Sequence, residues 1–380
     1  MTTIAAILFW LSSGLLVYTH LGYPLALMLL ARTRVGHRPE QKRDPHRGPL
    51  PTVTLIVPAY DEEEVIAAKV ANALALDYPR ERLQLIVASD GSTDATAERA
   101  RVAGADLVLE LPPGGKVVAL NEAVAESDGE FLAFSDANSE WAPDALGRLL
   151  APFSDERVGY VCGQVRFLDP DGDNLEGAYW RYEMAIRTLE SELAGVTAGN
   201  GAIYAVRRSA YEPLPASGSH DLSFPFLLAK RRLRSLYAPD ARASEKMVPT
   251  LGGELARKRR MMIGLWDIVV GEGMVSPRGY SPLYAFELFS HRLLRYLSPL
   301  LHLVAFVANA LLLGDGWVYD FLFVCQLALL AAALLARPFP LTPLRIARYY
   351  VETTASIALG LWDRLRHGAT GRWQKAEGTR

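Results

Sequence analysis

The chain has only two cysteines in 380 residues, Cys162 and Cys325. They are too few and too far apart for a disulfide framework or a thiolate metal site. Its seven histidines form no ligand cluster. Charge of one sign is also lacking: 40 Lys and Arg against 42 Asp and Glu leave a net charge of −2. No global basic field therefore points to nucleic acid as a partner. The Gly-x-x-x-x-Gly-Lys-Ser/Thr pattern of a P-loop is missing, as are internal repeats and low-complexity tracts. These absences suit a reduced, cytoplasmic main domain. What is plentiful is apolar: 50% of residues are hydrophobic and 22% charged, with a mean hydropathy of +0.10. That is high for a soluble enzyme and suits a soluble domain joined to membrane segments.

Ile4–Leu30 is long and apolar enough to span a bilayer. No positive charge follows Met1, the run is too long for a signal peptide, and Leu29-Leu30-Ala31-Arg32 is a poor cleavage site. Residues 1–31 are therefore read as a transmembrane helix. The basic linker 32–51 carries Arg32, Arg34, Arg38, Lys42, Arg43 and Arg47, which places it on the cytoplasmic side. Near the other end, Leu293–Leu313 and Val318–Leu335 flank the turn Gly314-Asp315-Gly316. They predict a transmembrane hairpin over 292–336, with Arg337, Arg345 and Arg348 back in the cytoplasm. In the segment 337–380, Tyr349–Trp362 is shorter, contains Glu352 and has basic flanks on both sides. A re-entrant or interfacial helix is favoured there over a third C-terminal span. Arg257–Trp266 mixes basic and large apolar residues, so 246–291 is read as an amphipathic interfacial region. This organisation corresponds to an integral protein of a bacterial-type inner membrane.

Residues 52–245 alternate strand and helix patterns. Val53–Val57, Leu83–Ala88, Leu107–Leu109 and Phe131–Phe134 read as buried strands. Helices follow them: one from an Asp61/Glu64 capping box to about Leu76, one from Ser92-Thr93-Asp94, and one over Lys116–Ala125. The spacing predicts an α/β domain of βαβ units with a parallel sheet. Beyond Ala142 the pattern predicts a helix at Pro143–Leu150, a strand at Val158–Val165, a helix at Glu176–Leu193, a strand at Ala202–Val206 and a helix at Phe224–Lys230.

Open α/β sheets bind ligands at the carboxyl ends of their strands, and acids stand at those ends here. Ser89-Asp90-Gly91 closes one strand, and Asp90 can accept from the N–H of a pyrimidine ring. Ser135-Asp136-Ala137-Asn138 closes another. Asp136 and Asn138, two residues apart, can offer hard oxygen ligands to a divalent cation carrying a phosphate. Pro58-Ala59-Tyr60-Asp61-Glu62 closes the first strand; Tyr60 can stack on a base and Glu62 can bond a ribose or base edge. Lys116, on the loop Gly114-Gly115 at a helix start, can meet a diphosphate. His220-Asp221 opens a further helix, where a carboxylate either caps the helix or takes a proton from an acceptor hydroxyl.

Five of these motifs, in this order over roughly Val53–Trp266, resemble the family 2 glycosyltransferases, inverting enzymes of the GT-A fold. They are Pro58-Ala59-Tyr60, Ser89-Asp90-Gly91-Ser92-Thr93-Asp94, Gly115-Lys116…Ala119-Leu120-Asn121, Phe134-Ser135-Asp136-Ala137-Asn138, and Gly199-Asn200-Gly201-Ala202 with His220-Asp221. The resemblance implies a mixed, mainly parallel sheet. The membrane frame is similar to that of members that make cell-surface polysaccharides. The resemblance implies that Ala59, Tyr60, Glu62 and Asp90 hold the nucleoside of a sugar nucleotide, with UDP expected. Lys116 and Asp136 would hold its diphosphate side, and Asp136 with Asn138 would hold Mg²⁺ or Mn²⁺. Asp221 would be the catalytic base, and Gly199, Asn200, Arg257 and Arg260 an acceptor or diphosphate clamp. The implied acceptor is a growing polysaccharide or a lipid-linked sugar, reached at the membrane, and an export partner protein is implied with it. The alternatives are a transferase adding a single sugar to a lipid acceptor and a non-catalytic nucleotide-sugar-binding partner of a synthase. The chain departs from the family pattern at three places. Asn138 stands for the second acid of the metal motif. His220 stands for the acid before the base, and predicts pH sensitivity near neutrality. Arg257-Lys258-Arg259-Arg260-Met261 stands where processive synthases carry Gln-x-x-Arg-Trp.

Overall fold

The computed structural model describes residues 2–33, 50–168, 177–246, 262, 264–339 and 341–367. Arg257, Arg260 and the basic flank from Arg34 to Arg47 lie outside the described residues.

One eight-stranded sheet organises the centre, in the order β3-β2-β1-β4-β7-β6-β8-β5. The strands are β1 Val53–Ala59, β2 Leu83–Asp90, β3 Leu107–Leu111, β4 Phe131–Phe134, β5 Glu140–Trp141, β6 Val158–Leu168, β7 Tyr204–Arg207 and β8 Arg234–Lys246. β1, β2, β3 and β4 pair in parallel, β7 runs antiparallel to both β4 and β6, and β6 and β8 pair in parallel. The β1–β4 part is parallel, as the alternating pattern predicts, and the antiparallel pairings of β7 and β5 make the whole sheet mixed. Side chains on a strand alternate faces, and helices cover both faces, so β1 is buried throughout and, Thr54 apart, apolar. Leu55, Val57, Leu85 and Val87 pack beneath helix Ile66–Leu74. Ile56, Ile86 and Phe134 pack with Leu120 of helix Lys116–Ala125. Each such side chain contributes about 1.5–3 kcal/mol by leaving water.

Several boundaries differ from the sequence expectation. β1 does not stop at Val57 but runs through Pro58 to Ala59, opposite Ala88 and Ser89. Its pairing with β4 ends at Ile56, so Pro58 sits where one side of β1 is already an edge, which tolerates a missing N–H. The capping box at Asp61 and Glu64 is not formed. The helix starts at Ile66, and Asp61 lies in the left-handed region, φ 51°. Its carboxylate instead accepts the Thr93 N–H at 2.8 Å, tying the turn after β1 to the turn after β2. β8 was not foreseen. Arg231 and Arg232 form the turn into it, with Arg232 at φ 64°, and the strand, starting on Arg234, adds 13 residues to the sheet.

Among the described residues, two helices are long and apolar enough to cross a membrane: Thr2–Thr33, of 32 residues, and Trp317–Leu335, of 19. The run read as one arm at Leu293–Leu313 is divided. Pro282–Tyr296 and Ser298–Ala310 meet at 61°, with Pro299 in the first turn of the second helix. Proline lacks the N–H that would continue the preceding turn. If the bent pair counts as one span, the described candidates number three. Tyr349–Trp362 lies within a longer helix, Thr342–His367. That helix pairs Arg348 with Glu352 at 2.7 Å and Arg364 with Asp267. Phe9 of the first helix packs on Ala305 and Ala308. Further along, its Tyr23 and Leu27 pack on Ile186 and Leu193 of helix Ala178–Leu193. The first apolar helix is thus built into both the membrane-type helices and the α/β domain.

Candidate active site

Asp90, Lys116, Asp136, the Gly199–Gly201 turn and Asp221 lie along one edge of the sheet, at the carboxyl ends of the parallel strands. β2 ends on Asp90, which is 2% exposed. Its carboxylate accepts the N–H groups of Gly114, at 2.7 Å, and Gly115, at 2.9 and 3.1 Å. Those amides stand at the start of helix Lys116–Ala125, where a negative charge is favoured. Asp90 therefore fixes the loop that delivers Lys116. Gly91, at φ 69°, packs against Pro113 so closely that a Cβ would lie 2.4 Å from its Cγ; only glycine satisfies both constraints.

Lys116 Nζ forms an ion pair with Asp136 Oδ1. Burial works against the ammonium charge, but Asp136, by charge and hydrogen bond, with Asp221 and Glu245 beyond it, holds its pKa above the ordinary lysine value. Lys116 is charged, and Asp221 is near enough to add to its field. Gly201 lies against the pair: a Cβ there would be 3.4 Å from Lys116 Nζ and 3.6 Å from Asp136 Oδ2. The site therefore has a wall of bare backbone beside its main charges. Asn138, two residues past Asp136, is half-buried.

Among the described residues, no three His, Cys, Asp or Glu side chains form a metal-binding group. Asp136 and Asn138 still fit a hard cation, because both offer oxygen from one turn and phosphate oxygens complete such shells. Asn138→Asp is expected to lower the Mn²⁺ concentration giving half-maximal binding by about tenfold, since ligand charge sets affinity. Electron paramagnetic resonance of bound Mn²⁺ measures it directly.

On the opposite side, Asp221 occupies the first turn of helix His220–Lys230. Ser219 Oγ donates to its Oδ1, and its backbone carbonyl accepts the Gly199 N–H at 2.7 Å. Asn200 is occupied by its own backbone surroundings: Nδ2 donates to Gly163 O at 2.6 Å, and Oδ1 accepts the Ile203 N–H at 3.0 Å. It shapes the loop. Asn121 has a similar part, since its Oδ1 accepts from Tyr211 Oη at 2.7 Å and its Nδ2 donates to Leu214 O at 2.8 Å. Tyr60 is half-buried, while Ala59 and Glu62 are buried at the end of β1. Arg257 and Arg260 lie outside the described residues.

His220 does not carry the expected pH sensitivity. It is 4% exposed, packed among Phe134, Tyr211 and Phe224, with Nδ1 at 2.9 Å from Tyr204 Oη. Burial, with the Lys116 charge adding to it, pushes its imidazole down to about 3. In the unfolded chain the ring titrates near about 6.5. Between those values the unfolded state binds more protons. Stability is therefore complete above about pH 6.5 and falls on acidification by about 1.4 kcal/mol per unit. His220→Gln is expected to flatten that slope in thermal melts, and to leave the rate profile between about pH 6 and 8 unchanged. A wild-type rate pKa near neutrality that the variant lacks would contradict this placement.

Lys69 is a site residue that sequence reading missed. It is 3% exposed, donates to the Ser139 carbonyl at 2.7 Å and lies over the Trp141 ring. Burial pushes its ammonium down to about 7, against the pull of Asp136, Glu245 and Glu140. Its neighbour Asn72 pairs with the Trp141 backbone at 2.9 and 3.0 Å. Together they hold the chain just after Asn138. The signal was present: Ile66, Lys69, Val70 and Ala73 are the buried face of their helix, so helical spacing puts this lysine inward. Arg187, which donates to Gly199 O at 3.1 Å, was also missed.

Residues 54–214 match the family model described as Glycosyl transferase family 2. The chain is 27% identical over 264 residues to an N-acetylglucosaminyltransferase of Rhizobium meliloti, covering 63% of this chain and 61% of that protein. It is 35% identical over 153 residues to a beta-monoglucosyldiacylglycerol synthase of Nostoc, covering 38% and 32%. These matches thus span from about a third to three-fifths of the relatives' own length. In structure, a mannosyltransferase from Pyrobaculum calidifontis, solved with GDP-Man and Mn²⁺, superposes with a TM-score of 0.74 at 24% identity. That superposition covers 95% of this chain and 100% of the other; the likeness is one of fold.

Proposed function

Because residues 54–214 match the family model described as Glycosyl transferase family 2, we propose that the chain is an inverting glycosyltransferase working at a membrane with its site on the cytoplasmic face. The donor is a nucleotide-diphosphate sugar, a UDP-sugar being the first to test. The acceptor is a growing polysaccharide or a lipid-linked sugar. The observation that carries the proposal is the Lys116–Asp136 pair, held at the strand ends, with Asp221 across from it on the Gly199 side.

In this reading half-buried Tyr60 meets the nucleoside, with the buried Glu62 and Asp90 beneath it and Asp90 holding the loop that delivers Lys116. Lys116 meets the diphosphate and offsets charge that grows as the sugar leaves. Asp136 and Asn138 hold Mg²⁺ or Mn²⁺, which when bound neutralises further charge on the leaving diphosphate. Asp221 takes the proton from the acceptor hydroxyl as that oxygen bonds the anomeric carbon. The bond to the diphosphate breaks on the opposite face, so one displacement inverts the configuration. The half-buried position of Asp221 leaves it reachable by an acceptor, and the apolar helices bring that acceptor's bilayer close.

The test is nucleoside diphosphate release from a panel of nucleotide sugars, UDP-glucose, UDP-N-acetylglucosamine and GDP-mannose among them. The full chain would be in nanodiscs with Mn²⁺ and extracted membrane lipids. Release from one donor with label passing to lipid or polymer supports the proposal, and product size separates single addition from a polymer. Nucleotide binding without release from any donor favours the non-catalytic reading.

A further inference from the structure

The buried ionic cluster behind the Gly199 loop takes no part in the mechanism above, yet it joins the apolar helices to that loop. Its centre is Glu190, fully buried on helix Ala178–Leu193. Glu190 Oε1 accepts from Tyr23 Oη of the first apolar helix at 2.6 Å and meets His291 Nδ1 of the bent helix at 2.7 Å. Oε2 accepts from Thr197 Oγ1 at 3.1 Å and the Thr197 N–H at 3.4 Å. Thr197 Oγ1 in turn accepts from Arg292 Nε at 2.9 Å. Glu183 binds Arg295 at 2.7 Å alongside. Burial opposes the charge on Glu190, and His291 with Arg292 outweighs it, so the carboxyl is held ionised.

Two features suggest more than a generic packing contact. First, the backbone is irregular on both helices at this junction. Tyr18–Gly22, one turn before Tyr23, is π-helical, and so is Leu288–Leu293, which carries His291 and Arg292. Such wide turns re-aim side chains and recur at functional sites. Second, the chain leaving Thr197 runs directly into the site. Gly199 binds the backbone of Asp221, and Gly201 lies against Lys116 and Asp136.

We propose that Glu190 is a positioning residue, through which the seating of the first apolar helix and of the bent helix sets the 195–201 turn against Asp221. The apolar helices are then part of the active-site scaffold as well as a tether. This rests on the reading of Asp221 as the acceptor-side base, and its consequence is that transfer depends on bonds made tens of residues away in sequence.

The test uses the full chain in nanodiscs and two readouts. Tyr23→Phe removes one hydroxyl, and Glu190→Gln removes the charge. Tyr319→Phe is the control, because its hydroxyl accepts from Trp10 Nε1 between apolar helices away from the cluster. Both test variants are expected to speed amide exchange of residues 195–201 by about tenfold, leaving the Gly114–Lys116 loop unchanged; a lost buried hydrogen bond is of that size. They are also expected to lower kcat for transfer by about fivefold or more with donor KM steady, and the control to do neither. Faster exchange confined to residues 2–33, or equal effects in the control, overturns the proposal. If Glu190→Gln does not fold, Tyr23→Phe decides alone. Exchange needs no turnover, so a wild-type chain that transfers nothing defeats the proposed function while this measurement still gives its own answer.

Discussion

Asp221→Asn is expected to lower sugar transfer by about 10²–10⁴-fold, the range for loss of a general base, while nucleoside diphosphate still binds. The replacement keeps the shape of the side chain and leaves an oxygen for the Ser219 hydroxyl, which donates to Oδ1. The backbone bond from Gly199 to the Asp221 carbonyl does not involve the side chain at all. The loop should therefore stay in place, and only the capacity to accept a proton is lost. Nucleotide affinity by calorimetry and transfer by radiolabel separate the two effects. A variant that transfers within tenfold of wild type places the base elsewhere; one that loses nucleotide binding makes Asp221 a structural residue.

The second large effect is at the Lys116–Asp136 pair. Lys116→Met and Asp136→Asn are each expected to lower kcat/KM by about 10²–10³-fold, the size found when a group stabilising transition-state charge is removed. Stability should barely change. The two side chains are 36% and 31% exposed, and pairs reached by water are worth about 0–1 kcal/mol. A thermal melt beside the kinetics therefore distinguishes a functional pair from a structural one. The double variant should fall short of the sum of the singles, because the two residues share one interaction. A large loss of melting temperature with little loss of rate would reverse the assignment.

The two variants also bear on how legible this site was in the sequence. Asp136 and Asp90 announced themselves by position: each ends a short run of buried apolar residues, and ligands gather where parallel strands end. Lys116 was legible from the glycines before it. Their partners were not. Nothing in the sequence says that the Asp90 carboxylate is engaged by the Gly114 and Gly115 amides, because that contact closes a gap of 24 residues through the pairing of β2 and β3. His220 shows the same limit in reverse. Its chemistry suggested a switch near neutral pH, and burial among Phe134, Tyr211 and Phe224 removed it.

By itself, then, the sequence determined what depends on local period and composition. The apolar runs, the alternation of buried strands with helices, the glycines beside a lysine and the acids at strand ends are all set within a few residues of one another, and backbone geometry makes them readable. Only the tertiary structure decided which of those residues meet. It drew Lys69 beneath the turn after Asn138, continued the sheet into β8, bent the apolar run at Pro299, and brought Tyr23, Glu190, His291 and Thr197 into one buried cluster. The reason is physical: a charge buried far from its partner in sequence is stabilised only once the whole chain has excluded water around both, and no local pattern records where that partner will come from.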